Sequence, residues 1–265
     1  MKRRALLGFA VAAILALTCA GTAFADEPAA LTASAAAAQP ALETQASKAK
    51  VYVISKIDYG YNSEKLSYNK NGLLTKISTG DGYATQYTYS GSKIKNFYTS
   101  GGGTRFSSGV NTYKNGKLVK VDNYGSNGGN TYHHTYTYKN GRIAKRSGTI
   151  ADQPITKKYA YNKKGYVKKM TQTTRSSSSS TKYAYDKKGN LTKKTGPSSY
   201  TYKNKYDKRG LLTSKTTIYS GSSSSTIKYS YKRITVPKKY AKAVKAQQRA
   251  LINGTEVTFV FTDIS

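Results

Sequence analysis

Tyr185-Asp186-Lys187-Lys188-Gly189-Asn190-Leu191-Thr192 is one copy of a unit that recurs along most of this chain and decides its fold. In each copy a Tyr is followed by polar residues, then by a turn Gly, then by Leu, Ile or Val. Seven copies have their glycines at positions 72, 91, 116, 141, 165, 189 and 210. An eighth, Tyr231-Lys232-Arg233-Ile234, lacks the Gly. Such regular self-similarity is typical of repeat proteins.

Each unit predicts a β-hairpin. The residues before the turn alternate, as in Tyr136-Thr137-Tyr138 and Tyr183-Ala184-Tyr185. This period of two is typical of a strand and places both tyrosines on one face. The polar residues open a turn, and the Gly supplies the positive φ that closes a short hairpin. The Leu, Ile or Val that follows returns to the Tyr face.

Seven hairpins in series predict an all-β fold, an antiparallel meander of about fourteen strands. A sheet of that length must twist and curl on itself. We expect the curled sheet to enclose its Tyr, Leu and Ile side chains and to leave Lys, Thr and Ser outside. Buried tyrosine hydroxyls need hydrogen-bond partners, so this interior should be less dry than an aliphatic core.

Four segments divide the chain: a signal peptide (1–25), an Ala-rich linker (26–50), the hairpin repeats (51–236), and a C-terminal helix plus strand (237–265). Lys2, Arg3 and Arg4 precede an apolar run, and Ala23-Phe24-Ala25 suits signal peptidase. A membrane anchor is the alternative, although the run is shorter than the ~20 residues that span a bilayer. The chain is therefore expected to be secreted or held at the cell surface.

Cys19 is the single cysteine and lies before the predicted cleavage site. A lipoprotein signal is the alternative use for it, but Thr18 stands where such signals carry Gly or Ala. Cleavage after Ala25 would leave a mature chain without disulfide or thiol chemistry.

The C-terminal segment changes pattern after Pro237. Residues 238–252 contain no Gly or Pro and are rich in Ala and Lys, and Gly254 is a plausible C-cap, which together predict a basic amphipathic helix. Such a helix can bind a membrane surface or a partner, or it can cap the open end of the repeats, which we favour. Alternating apolar residues in 256–262 predict a final strand.

A formal charge of +32 favours association with polyanions. Outside a cell these include anionic wall polymers, polysaccharide, lipid headgroups and nucleic acid. The alternative is that lysines only solvate the sheet and block edge-to-edge aggregation. Our leading hypothesis is a structural or binding protein of the bacterial envelope, whose Lys-rich face contacts anionic polymer.

Two further functions stay open. The Tyr-lined face could hold a small amphipathic or carbohydrate ligand. Alternatively, lysines could contact the phosphates of extracellular nucleic acid, although stacking on bases would need Tyr on the same face as Lys.

Signals of catalysis are poor. Asp186 and Asp207 lie in predicted turns, where Asp is a normal turn former. His133 and His134 are the only histidines, and neighbours on a strand point to opposite faces. No spacing predicts a metal, cofactor or nucleophile site, so we assign no site residues and predict that the chain is not an enzyme.

Residues 185–192 and 206–213 resemble the YD repeat of Rhs-type proteins: Tyr-Asp, a turn Gly, then Leu-Thr. The resemblance extends over about 60–235, with Asn, Ser or Lys replacing Asp in earlier copies. It implies hairpins that spiral into a β-shell, although this chain has few repeats and no recognisable toxin domain. Wall- and glucan-binding repeats are a second, weaker resemblance, since this chain has no Trp.

Overall fold

The computed structural model describes residues 47–126, 130–150, 152–219 and 224–254. Within these ranges, sixteen antiparallel strands follow one another in chain order and form one closed barrel. The strands are Lys48–Asp58 (β1), Ser63–Tyr68 (β2), Leu74–Thr79 (β3), Ala84–Ser90 (β4), Lys93–Gly101 (β5), Thr104–Lys114 (β6), Lys117–Gly125 (β7), Asn130–Lys139 (β8), Arg142–Ile150 (β9), Gln153–Tyr161 (β10), Val167–Thr174 (β11), Ser178–Tyr185 (β12), Leu191–Thr195 (β13), Tyr200–Tyr206 (β14), Leu212–Tyr219 (β15) and Ser224–Pro237 (β16). The predicted signal peptide, most of the predicted linker and the predicted final strand lie outside these residues.

The curled antiparallel meander is confirmed, but the predicted strand count of about fourteen was too low. The seven hairpins form β2 to β15, and the two further strands are β1 and β16. They pair with each other from Lys48 opposite Pro237 to Asp58 opposite Lys228. Within this pair Tyr231 lies opposite Ile54. The eighth unit is therefore completed by the distant N-terminal strand, which explains why it has no turn Gly.

The repeat turns all lie at one end of the barrel, here called the turn end; the opposite end is called the loop end. In the β12–β13 turn, Asp186 Oδ1 accepts hydrogen bonds from the backbone N–H groups of Lys188 and Asn190, and Gly189 has φ +82°. Asp207 accepts equivalent bonds in the β14–β15 turn. These contacts confirm that both carboxylates build turns.

A β-bulge follows the apolar residue of each unit. Between β12 and β13, Ala184 lies opposite Lys193 while Tyr185 lies opposite Leu191, so Thr192 is skipped. Backbone pairing between successive hairpins also stops near this level. The last pair that joins β11 to β12 at the turn end is Lys169 with Lys182. Bulges increase strand twist, and here the hairpins separate where they approach the turns.

Tyrosine hydroxyls bridge the gap between separated hairpins. In seven of the eight units the last Tyr donates a hydrogen bond to the backbone carbonyl of the apolar residue in the preceding unit, with oxygen–oxygen distances of 2.5 to 3.0 Å. The pairs are Tyr68 to Ile54, Tyr89 to Leu74, Tyr113 to Ile94, Tyr138 to Leu118, Tyr161 to Ile143, Tyr185 to Val167 and Tyr231 to Leu212. Together they form a tyrosine ring that runs around the barrel.

Tyr206 is the exception to this ring. It comes five residues after Thr201, the last β14 residue paired with β13, whereas Tyr185 comes three residues after Lys182. The Asn204 side chain therefore donates to the Leu191 carbonyl at 3.2 Å, and Tyr206 donates to the Asp186 carboxylate instead.

The apolar residues of the repeat form a buried layer directly inside the ring. Ile54, Leu74, Ile94, Leu118 and Ile143 belong to one core cluster that continues toward the loop end through residues such as Tyr87, Phe97 and Tyr229. The prediction that Tyr, Leu and Ile enclose themselves is therefore confirmed. The Tyr face is buried along the middle of the barrel rather than open to solvent.

Helix α1, Lys238–Asn253, closes the turn end. It begins directly after Pro237 and ends at Gly254, whose φ of 57° and N–H bond to the Ala250 carbonyl confirm the predicted C-cap. Its buried face packs Ala243 and Val244 against β1, β16 and the β2–β3 turn. The predicted C-terminal helix is therefore present, and it packs against the turn end. Among the described residues, no helix is long and apolar enough to cross a membrane.

Amide side chains of α1 bind the tyrosine ring. Gln247 accepts from the Leu74 N–H and donates to the Tyr89 hydroxyl. Gln248 does the same with the Ile54 N–H and the Tyr68 hydroxyl. Gln247 is fully buried on the inner face of α1. It satisfies a backbone group that the separated hairpins leave unpaired.

We expect Tyr185→Phe to lower the free energy of unfolding by about 1–3 kcal/mol, because the Val167 carbonyl loses its donor in a buried setting. Tyr61→Phe is the matched control, since Tyr61 is 80% exposed on a loop, and it should change stability by less than about 0.5 kcal/mol. Urea unfolding followed by circular dichroism measures both. An equal loss of unfolding free energy in Tyr185→Phe and Tyr61→Phe would show that the hydroxyl bonds do not hold the hairpins together.

We also expect cooperative unfolding in alkali. Burial raises the pKa of the hydroxyls of Tyr68, Tyr89, Tyr185 and Tyr231 well above the ordinary value. The unfolded chain releases these protons near pH 10 while the folded chain keeps them. The free energy of unfolding is therefore fully present below that pH. Above it, this free energy falls by about 1.4 kcal/mol per tyrosine per pH unit.

Tyrosinate absorbance and circular dichroism, recorded together from neutral pH into alkali, measure this transition. Most tyrosinate should appear in the same step that removes the β signal. A gradual rise of absorbance with the β signal intact would contradict a tyrosine ring that excludes water.

Candidate functional site

The outer wall formed by β9 to β13 is strongly basic. None of these five strands contains Asp or Glu. On each strand the side chains alternate between the barrel interior and solvent, so one set faces outward. That set includes five exposed lysines, which we call the lysine face: Lys145, Lys158, Lys169, Lys182 and Lys193.

Cross-strand register brings lysines of this face together. Lys145 lies directly opposite Lys158 between β9 and β10, and Lys169 lies directly opposite Lys182 between β11 and β12. Directly opposed side chains have their Cβ atoms about 4.5–5.5 Å apart. Lys169 and Lys193 face alanines, Ala160 and Ala184, within their own hairpins. The backbone register therefore places lysines directly beside each other, with small side chains opposite Lys169 and Lys193.

Hydroxyl side chains continue the same face toward the loop end. Thr171 and Ser180 lie opposite each other with their hydroxyl oxygens 3.1 Å apart, and Ser147 and Thr156 make a similar contact at 3.4 Å. Hydroxyls and ammonium groups both donate hydrogen bonds to anionic oxygens. The face thus combines the donors that suit phosphate, sulfate or carboxylate groups.

Two lysines elsewhere on the wall have acidic partners. Lys56 lies 3.3 Å from Asp58, and Lys120 lies 3.0 Å from Asp122. On the described strands β9 to β13, by contrast, the sequence supplies no carboxylate to a lysine on the same face. Strands β14 to β16 likewise contain no Asp or Glu, so the uncompensated positive charge continues beyond the lysine face, which contains the two directly opposed lysine pairs.

The prediction that lysines lie outside holds for most of them but was wrong for Lys157 and Lys215. Arg146, Lys157 and Lys215 occupy inward-facing positions and are almost fully buried. These residues lie at strand positions whose side chains point into the barrel, and this position, rather than their charge, determines that they are buried. Lys215 donates to the Ile252 carbonyl of α1 at 2.9 Å, and burial lowers the pKa of its ammonium to about 8.

The two histidines point to opposite faces, as predicted. His134 is buried inside the barrel, while His133 lies on the outer wall with Nδ1 2.5 Å from Asp122 Oδ1. Sequence inspection missed this pair, because Asp122 and His133 are brought together by the register of β7 and β8. Within the described residues, no group of three or more His, Cys, Asp or Glu side chains is arranged to hold a metal ion.

No family model matches this chain, and no curated protein matches it. Among solved structures, it is similar to a porin-like protein from Bacteroides uniformis, with 13% identity and a TM-score of 0.48 over 68% of this chain and 96% of that chain. A porin-like protein from Bacteroides vulgatus has 16% identity and a TM-score of 0.44 over 68% and 98% of the two chains. The structure of TcdB2-TccC3-TEV has 12% identity and a TM-score of 0.35 over 64% of this chain and 12% of that chain. The YD-repeat resemblance stays a prediction.

Proposed function

We propose that this chain is an exported protein of the bacterial envelope that binds an anionic surface polymer through its lysine face. One observation carries the proposal: five exposed lysines, two pairs of them directly opposed, lie on five adjacent strands that contain no acidic residue. Like charges placed directly opposite each other destabilise a sheet. A polyanion that lies across them would remove this cost.

Closure of the barrel argues against the alternative role for these lysines. Lysines protect exposed sheet edges from pairing with another chain. In this barrel each strand pairs with both neighbours, and β1 pairs with β16. There is no edge for Lys145, Lys158, Lys169 or Lys182 to protect. Solvation of the wall remains a role for them, but it does not require opposed pairs.

Anionic polymer also fits better than single-stranded nucleic acid. Base stacking would require aromatic rings beside the lysines. On β10 and β12 the tyrosines alternate with lysines, so Tyr159 and Tyr183 lie on the opposite face of the sheet from Lys158 and Lys182. The lysine face offers contacts to charged groups but no stacking platform.

Replacing the five lysines of the lysine face by Gln should weaken binding of a fluorescent linear polyphosphate roughly tenfold or more at low salt, because ion release drives such binding. For the unaltered protein, affinity should fall steeply with added NaCl. Fluorescence anisotropy titrations at several salt concentrations measure both effects.

The matched control replaces five exposed turn lysines by Gln, which removes the same charge elsewhere: Lys70, Lys114, Lys139, Lys163 and Lys187. It should keep most of the affinity. Equal losses in the two variants would mean that net charge alone attracts the polymer and would refute a specific face. Unlabelled single-stranded DNA that competes far better than polyphosphate would favour nucleic acid instead.

Lys158→Glu should stabilise the fold while weakening polyphosphate binding. It converts the opposed pair with Lys145 from repulsion to attraction, a gain of about 0.2–1 kcal/mol at low salt. The gain should shrink in high salt, where exposed charges are screened. Urea unfolding at two salt concentrations tests this. The free energy of unfolding of Lys158→Gln should lie between those of the unaltered protein and Lys158→Glu. Destabilisation by Lys158→Glu would show that the lysines do not repel each other.

A further inference from the structure

Exposed apolar side chains of this protein concentrate at the loop end. Six large apolar residues in the described part are markedly exposed, and five of them lie at or next to loop-end connections: Tyr61, Tyr83, Phe106, Ile150 and Tyr219. The sixth, Val110, lies within β6 on the outer wall. The turn end is closed by α1, so the two ends of the barrel present different surfaces. Large apolar side chains grouped at one exposed place mark a binding surface.

Tyr83 and Phe106 form the centre of this group. They come from neighbouring hairpins, their ring centroids are 5.6 Å apart, and the rings are tilted by 32°. Both remain well exposed, at 47% and 40%. Their rings therefore form a shallow platform that solvent can reach.

Gly101 makes the platform possible. A methyl group on this residue would come within 2.6 Å of Tyr83 Cδ1 and 2.9 Å of Phe106 Cε2. Both rings can therefore lie against the backbone of β5 only because this position has no side chain. The arrangement is built by close packing rather than by chance exposure of two separate residues.

A second aromatic pair lies at the same end on the other side of the barrel. Tyr200 and Tyr219 pack edge to face with centroids 5.0 Å apart. Tyr219 lies opposite Tyr200 in the β14–β15 pairing, and the inward face of β14 continues with Tyr202. Aromatic rings therefore border the barrel mouth on two sides.

The loops beside the platform carry a carboxylate and an amide, and the neighbouring cation, Arg105, lies over the Tyr98 ring with its guanidinium carbon 4.5 Å from the ring centroid. The loops 59–62, 80–83 and 102–103 contain Asn62 and Asp81 but no Lys or Arg. The Asn62 amide lies 3.5 Å from the Asp81 carboxylate. A hydrogen bond from the Thr79 hydroxyl holds the pKa of Asp81 below its ordinary value, so this edge stays anionic at neutral pH.

We infer that the loop-end mouth binds a neutral oligosaccharide, whose sugar rings stack on Tyr83 and Phe106 and whose hydroxyls reach Asp81 and Asn62. Aromatic faces pack against the C–H faces of pyranose rings, and a carboxylate accepts hydrogen bonds from hydroxyls. An anionic ligand is disfavoured here because Asp81 would repel it. Mouths of β-barrels are common ligand sites. This site is separate from the lysine face and does not depend on it.

Titration calorimetry with three uncharged probes, cellohexaose, chitohexaose and maltohexaose, tests the inference. At least one should bind the unaltered protein. The double variant Tyr83→Ala, Phe106→Ala should weaken that binding roughly tenfold or more, which corresponds to about 1.4 kcal/mol. Gly101→Val keeps both rings but displaces them, so it should weaken binding as well. Circular dichroism confirms that each variant is folded.

Val110→Ala is the matched control, because Val110 is 41% exposed on the outer wall, as exposed as Phe106. It should bind sugar as the unaltered protein does. The variant with five Gln substitutions on the lysine face should also bind sugar normally, which separates this site from the proposed polymer site. Failure of all three sugars to bind, or binding unaffected by the loss of Tyr83 and Phe106, would overturn the inference. Attachment to zwitterionic lipid vesicles that requires the same rings would replace it with a membrane contact.

Discussion

The hydrogen bond from a tyrosine hydroxyl to the backbone carbonyl of the preceding unit is the interaction on which this barrel depends. Strand pairing between hairpins stops before the turn end, as between Lys169 and Lys182. The carbonyl of the next apolar residue would then be buried without a partner, at a cost of about 1–3 kcal/mol. Tyr185 satisfies the Val167 carbonyl at 3.0 Å, and the same contact recurs around the ring. Each unit therefore needs the unit before it.

This dependence explains both the closure and the helix. Tyr231 of the last strand donates to Leu212, and its strand partner Ile54 accepts from Tyr68, so the ring continues across the β1–β16 pair. At Tyr206 the Asn204 side chain takes over the bond to the preceding carbonyl. Gln247 and Gln248 then supply acceptors to the N–H groups of Leu74 and Ile54. Polar side chains of α1 thus complete hydrogen bonding that the separated hairpins cannot complete themselves. The barrel and its helix form one hydrogen-bonded unit.

Closure also divides the surface into regions with different chemistry. The core side chains and ring hydroxyls are used for stability, and α1 covers the turn end. The outer wall has no edge to protect, so its uncompensated lysines on β9 to β13 are available to an anionic partner. The loop end carries exposed aromatic rings, and Asp81 lies beside two of them on loops (59–62, 80–83 and 102–103) that contain no Lys or Arg. The two proposed sites therefore differ in charge, position and ligand.

Local patterns in the sequence were sufficient to predict the hairpins, the shared face of the tyrosines, the turn roles of Asp186 and Asp207, and the helix that ends at Gly254, because each depends on residues close together in the chain. Tertiary structure alone decided that β1 completes the unit of Tyr231, that hydroxyls bond to carbonyls one unit back, and that Gln247 faces inward. It also decided which lysines lie opposite each other and that Tyr83 and Phe106 meet over Gly101. These contacts join residues far apart in sequence, and their register follows from closing sixteen strands into a ring.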